Sequence, residues 1–300
     1  MLKLHRRQLL LSCVCAGGAC LASKLVGAQQ GNATQRGAFI CATLEPPLQQ
    51  SGLRFEPFNA ETGPVTLSPF AAERLTNEFR FTPFGLASAR DRWMPSDGLT
   101  PSGKVTLSVF FLNGTSQEHN QCIRAASEWL RDGVDAYLDF SWNVLSKDKV
   151  DPKDAHIRVR FGHGGNWSLI GRNALGKTNR DEPTMNIADV VDNIIMHEFG
   201  HALGLRHEHQ HPTGGIKWAE RAVINAMAKE DPPWSEEYTR ANVFTRYDTA
   251  TQCIGDPEFN DHSLMMYPIP KEWTVDQYSA TPSPSITPRD RRCVRGLYAL

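Results

Sequence analysis

The sequence lacks an excess of charge of either sign: 32 Lys and Arg stand against 33 Asp and Glu over 300 residues, a formal net charge of −1. No basic patch is present to neutralise a phosphate backbone, which argues against nucleic acid as a partner. Also missing is an uninterrupted apolar run of the ~20 residues that a membrane-spanning helix needs. The apolar stretch Leu9 to Ala22 is shorter than that and is broken by Ser12, Gly17 and Gly18. Residues 29 to about 100 show little sustained hydrophobic periodicity. What remains is ordinary globular composition, 40% apolar and 22% charged. It suffices for one large or two small domains with a sizeable core.

The first 28 residues read as an export signal. Lys3, Arg6 and Arg7 form a basic start, the apolar stretch follows, and Val26-Gly27-Ala28 offers small residues before a cut ahead of Gln29. Arg6-Arg7-Gln8-Leu9-Leu10 also resembles a twin-arginine signal, so the export route stays open. Without these residues 28 bases face 33 acids, a net charge of −5. The protein is expected to be secreted or extracytoplasmic, the periplasm included, with no stable membrane insertion once the signal is removed. Cys13, Cys15 and Cys20 go with the signal, leaving Cys41, Cys122, Cys253 and Cys293. An even number in an oxidising compartment predicts two disulfides, with three pairings open.

Residues 29–100, rich in Pro, Gly and Phe, read as an N-terminal extension or prosegment ahead of a catalytic domain at 101–300. Alternation of Val105, Leu107, Val109 and Phe111 predicts a strand, and Thr115-Ser116-Gln117-Glu118 the capping box of the helix after it. Strands are expected at Leu138–Trp142, His156–Phe161 and Met185–Ile187. His156 and His163 have no partner at ligand spacing and read as ordinary polar residues. Beyond residue 207 Pro and Gly punctuate a loop-rich lower half, with helices from about Trp218 to Lys229 and after Thr287-Pro288-Arg289-Asp290. The fold class is α+β, with a mixed twisted sheet and two long helices above a cleft, and an irregular lower part from 208 to 300.

The chemistry lies in His197-Glu198-Phe199-Gly200-His201-Ala202-Leu203-Gly204-Leu205-Arg206-His207. Residues four apart on a helix differ by about 40° in azimuth, so His197 and His201 project from one face and can share an ion. Glu198, rotated by about 100°, does not join them but stays close enough to handle the proton of a water on the metal. A helix continuing to His207 would carry that residue away. Gly204 permits the left-handed turn that folds it back as a third ligand. Upstream, Val191, Ile195, Phe199, Ala202 and Leu203 form an apolar stripe opposite the two histidines. His-Glu-x-x-His alone would arise by chance in roughly two chains in a hundred of this composition; adding Gly204 and His207 lowers that to about four in a hundred thousand.

Together with Ser263-Leu264-Met265-Met266-Tyr267, this segment resembles the metzincin clan of zinc endopeptidases, and Glu208 after the third histidine leans toward the astacin branch. Asn166-Trp167-Ser168-Leu169-Ile170-Gly171 is similar to the stretch after the third strand in astacin domains. The resemblance covers about residues 100 to 300. It implies that Met265 underlies the three imidazoles, that Tyr267 approaches the zinc and stabilises an oxyanion, and that Glu208 is tied to the mature N-terminus. Met266-Tyr267-Pro268 also resembles the matrixin turn, which leaves Met266 as a rival to Met265. His209 and His211 are expected beside the site or at the surface.

The expected protein is a monomeric zinc endopeptidase with one catalytic ion, ligands His197, His201 and His207, Glu198 as base and a protein or peptide substrate. That substrate would pair with an edge strand near Met185–Ile187. A zinc hydrolase of a non-peptide amide and a non-catalytic zinc-containing binding module are the alternatives. Glu198, whose loss would mark the second, is present.

Overall fold

The computed structural model describes residue 87 and residues 91–98, 103–143, 155–177, 179, 181–230, 233–247 and 258–299. All fall in one compact unit, Ala38–Leu300. The expected signal, most of the expected extension, Cys41 and Cys253 lie outside these residues. Among the described residues no helix is long and apolar enough to cross a membrane.

In chain order the elements are α1 (Pro95–Gly98), β1 (Val105–Phe111), α2 (Ser116–Ser127), β2 (Leu138–Asn143), β3 (Ile157–Phe161), β4 (Trp167–Ser168), β5 (Met185–Ile187), α3 (Asp192–Ala202), α4 (Glu220–Met227), α5 (Glu236–Thr239) and α6 (Pro288–Tyr298). β1 buries Val105, Leu107 and Val109 as its alternation predicts. α2 starts with the expected capping box: the Glu118 amide donates to Thr115 Oγ1 at 3.3 Å and the Thr115 amide to Glu118 Oε2 at 2.6 Å. α6 opens in the same way, through Thr287 and Asp290, with Pro288 in its first turn.

The five strands lie in the order β2-β1-β3-β5-β4, parallel except for β4, which runs antiparallel to β5. This mixed sheet corrects one expectation. β5, read as the edge, lies between β3 and β4, and the edge on that side is the two-residue β4. Two residues are too few to show a period in sequence.

α2 packs against α3, and Gln121 Nε2 ties the pair by donating to Asp192 Oδ1 at 2.9 Å and to Val190 O at 3.0 Å. α3 in turn packs on β4 and β5. One core gathers the inward faces of the sheet, α2, α3 and α6, with Trp93, Trp129 and Met265. A second, lower core holds Ile216, Val223, Met227, Val243, Met266, Tyr267 and Trp273.

Two further expectations are corrected. Val191 is not in the buried stripe; it is the residue preceding α3 and 49% exposed. Cys122 is a free thiol, fully buried on the inner face of α2, so the four cysteines do not form two disulfides. Burial pushes that thiol's pKa well up. Cys293 is disulfide-bonded.

Candidate metal centre

α3 carries His197, Glu198 and His201, and every residue from Ile194 to Ala202 is buried. The helix ends at Leu203, and Gly204 follows with φ of 98°. The Gly204 amide donates to His201 O at 2.8 Å and the Leu205 amide to Gly200 O at 2.9 Å. This is a Schellman closure, for which a left-handed glycine is the natural residue. It reverses the chain and brings His207 back over the helix end.

The three Nε2 atoms then converge: 3.1 Å from His197 to His201, 3.1 Å from His201 to His207 and 3.3 Å from His197 to His207. Among the described residues this is the one group of three that can hold a metal ion. Imidazoles binding tetrahedral zinc at about 2.05 Å place their nitrogens about 3.3 Å apart, so the spacing fits that ion. Protonation explains why an ion is needed. His197 Nδ1 lies 2.9 Å from Leu264 O and His201 Nδ1 2.8 Å from Leu205 O. A carbonyl accepts only, so each Nδ1 carries the hydrogen and each neutral ring turns a lone pair toward the other. Facing lone pairs at 3.1 Å repel unless a cation lies between them. Burial holds His197 down at about 4, against the opposing pull of the Leu264 bond, and pushes His201 and His207 well below the usual range. All three are therefore in the neutral form that a ligand requires. His207 differs in one respect: its buried Nδ1 has no hydrogen-bond partner among the described residues.

Below α3 the chain from Ser263 to Tyr267 makes a tight turn. Met265 packs under the helix so closely that a Cβ on Gly200 would lie 2.5 Å from its sulfur and 3.0 Å from the Trp129 ring. Met266, the next residue, points into the lower core. The Tyr267 ring is 1% exposed and sits between two imidazoles, its centroid 4.3 Å from His207 and 4.1 Å from His209. Glu208 ties the third histidine to the turn: its amide donates to Met265 O at 2.9 Å, and its Oε1 accepts from the Asn260 amide at 2.7 Å.

Sequence reasoning missed the anchor of this turn. Asp290, buried at the start of α6, accepts from Ser263 Oγ at 2.6 Å, the Leu264 amide at 3.1 Å and the Thr287 amide at 2.9 Å. It thereby holds the backbone of Leu264, the residue whose carbonyl meets His197. Its place as an N3 acid was readable; its reach across 26 residues to Leu264 was not. His209 and His211 are both buried, not at the surface. His209 Nε2 lies 2.9 Å from Asn242 O, and His211 Nδ1 lies 2.9 Å from Thr213 Oγ1. His156 lies between Ser108 and the backbone of Asp97, and His163 is exposed, both outside the triad.

No family model and no curated protein matches the sequence. Among solved structures the chain is similar to myroilysin, at 26% identity and a TM-score of 0.59, over 71% of this chain and 98% of that one. A second myroilysin structure matches at 26% identity and a TM-score of 0.48, over 70% and 86%. High choriolytic enzyme 1, a hatching enzyme zinc-protease from Oryzias latipes, matches at 15% identity and a TM-score of 0.47, over 69% and 96%. Only the first likeness is strong enough to bear on the fold. Fold and ligand set are those of an astacin-like metzincin zinc metalloendopeptidase.

Proposed function

We propose that this chain, astacin-like in fold and ligand set, is an exported, monomeric endopeptidase that cleaves protein or peptide substrates with a single zinc ion. The observation that carries this reading is the convergence of three neutral, buried imidazoles on one point. When bound there, the ion lowers the pKa of its water toward ~7 and polarises the scissile carbonyl.

The remaining roles belong to the chain. Glu198, fully buried one residue after the first ligand, accepts a proton from the attacking water and delivers it to the leaving amine. Tyr267 donates a hydrogen bond to the oxyanion as charge develops, from a ring already held against His207. Met265 is the apolar base beneath the histidines, a role that its contact with Gly200 supports and that Met266, in the lower core, does not share. Glu208 keeps the backbone after His207 bonded to the turn, and Gly204 makes the reversal that delivers His207. The substrate lies extended along β4, whose outer side has no neighbouring strand among the described residues. Pairing through a peptide backbone favours a polypeptide over a small amide.

Zinc content of the purified protein and cleavage of a mixed peptide library, with and without chelator and with Glu198→Ala, test this. One zinc per chain, chelator-sensitive cleavage and loss of turnover in Glu198→Ala are expected. Stoichiometric zinc without any chelator-sensitive cleavage would sink the peptidase reading.

A further inference from the structure

Of the three zinc-site histidines, His207 alone lacks a carbonyl tether on its second ring nitrogen. Besides the Tyr267 ring packed against it, its direction comes from the chain on either side. On the C-terminal side Glu208 bonds the turn; on the N-terminal side stands Arg206, whose guanidinium meets a carboxylate from far upstream. Arg206 Nε and Nη2 donate to Asp91 Oδ2 at 3.0 and 2.6 Å, with the two side chains 11% and 8% exposed. The Tyr247 ring covers the guanidinium at 4.6 Å.

We propose that Asp91 is a positioning residue for the third zinc ligand, acting through Arg206, and that the segment from Asp91 to Asp97 is a permanent part of the catalytic unit. The segment is laced to the same reversal elsewhere. Trp93, 1% exposed, donates from Nε1 to Ala202 O at 2.8 Å and so satisfies a carbonyl left open at the end of the zinc helix. Asp91 O accepts the Arg172 amide at 2.9 Å, and the Asp97 carboxylate accepts from Arg172 Nη2 at 2.9 Å. A buried ion pair adds little net stability, because desolvation offsets its attraction. Its forked geometry does fix direction, and the four residues of chain between Ala202 and His207 have no regular structure to do so. Any activating cut must then fall before Asp91.

This rests on the zinc reading above, and the test separates the two. In the full-length protein, zinc affinity is measured by chelator competition and ligand geometry by the visible spectrum of the cobalt-substituted form, for wild type, Asp91→Asn, Asp91→Glu and Arg206→Lys. Asp91→Asn is expected to weaken zinc binding about 10–100-fold and to change the cobalt bands. Asp91→Glu should recover most of both, and Arg206→Lys, which keeps charge but loses the fork, should fall between. If Asp91→Asn does not fold, Arg206→Lys carries the comparison. Reduced thermal stability with unchanged zinc affinity and cobalt spectrum would overturn the proposal while leaving the zinc reading intact; a wild type that binds no zinc would overturn both. N-terminal sequencing of the active form should place its first residue at or before Asp91, and an active form beginning after Asp91 would equally overturn it.

Discussion

The upper and lower halves reach the same three histidines by different means. Above, α3 sets the directions in which His197, Glu198 and His201 leave the backbone through helical periodicity, and every residue from Ile194 to Ala202 is buried. Below, Leu264 to Tyr267 lie outside any helix or strand. They are held by side chains that bond the backbone, chiefly Asp290 and Ser263. The adjacent residues Met265 and Met266 even belong to different cores. A helix distributes its rigidity over many equivalent bonds, whereas a loop concentrates it in a few anchors. A single polar substitution should therefore do more harm below than above.

Asp290→Ala is the strongest way to break that contrast. It strips a buried carboxylate from three donors and removes the α6 capping box, so a loss of about 3 kcal/mol or more is expected in urea unfolding. Zinc affinity should fall with it, because the Leu264 carbonyl that orients His197 loses its hold. A cost below about 1 kcal/mol would mean that the turn does not depend on one anchor.

Acid probes the ring where the halves meet, since His197 belongs to α3 and its carbonyl to the turn. Its folded-state pKa, held by burial at about 4, lies below the ordinary 6.5. Below pH 6.5 the unfolded chain takes up a proton that the folded chain refuses, so metal-free protein loses stability as the pH falls from 6.5 to about 4. The loss from this group is about 3 kcal/mol at most, with no dependence on it above that window. Urea midpoints of chelated protein across this range give the check; a midpoint unchanged down to pH 4.5 would contradict the buried, neutral ring.

Much of the upper half was legible from sequence because its signals are local. The alternation of β1, the capping boxes of α2 and α6, and the spacing from His197 to His207 each depend on residues a few positions apart. What escaped depends on distant partners. β4 is a strand only because β5 pairs with it, and Trp93 looks like part of a featureless Pro-rich tract until the end of α3 supplies its partner. Asp290 announced a helix start without disclosing that it also holds Leu264. The turn of π-helix at Arg240–Phe244, whose Asn242 carbonyl holds His209, has no local sequence signature.

Within the upper half, harm should come from bulk rather than lost polarity. Gly200→Ala leaves every hydrogen bond nominally intact but places a methyl 2.5 Å from the Met265 sulfur and 3.0 Å from Trp129. Overpacking of this kind costs about 1–3 kcal/mol, less than the loss expected for Asp290→Ala, and should appear as a lower thermal midpoint. A neutral result would show that Met265 can slide aside, and that the underside of α3 is as adaptable as the loop.

The smallest effect expected is none at all, at Cys122. A thiol on the inner face of α2, fully buried and with its pKa pushed up, offers no thiolate to a reagent at neutral pH. Alkylation of the native protein should leave the Cys122 peptide unlabelled, and alkylation after denaturation without reductant should label it. Labelling only after reduction would mean that Cys122 is in a disulfide. α2 would then be fastened covalently, and the upper half would share the dependence on single anchors that sets the lower half apart.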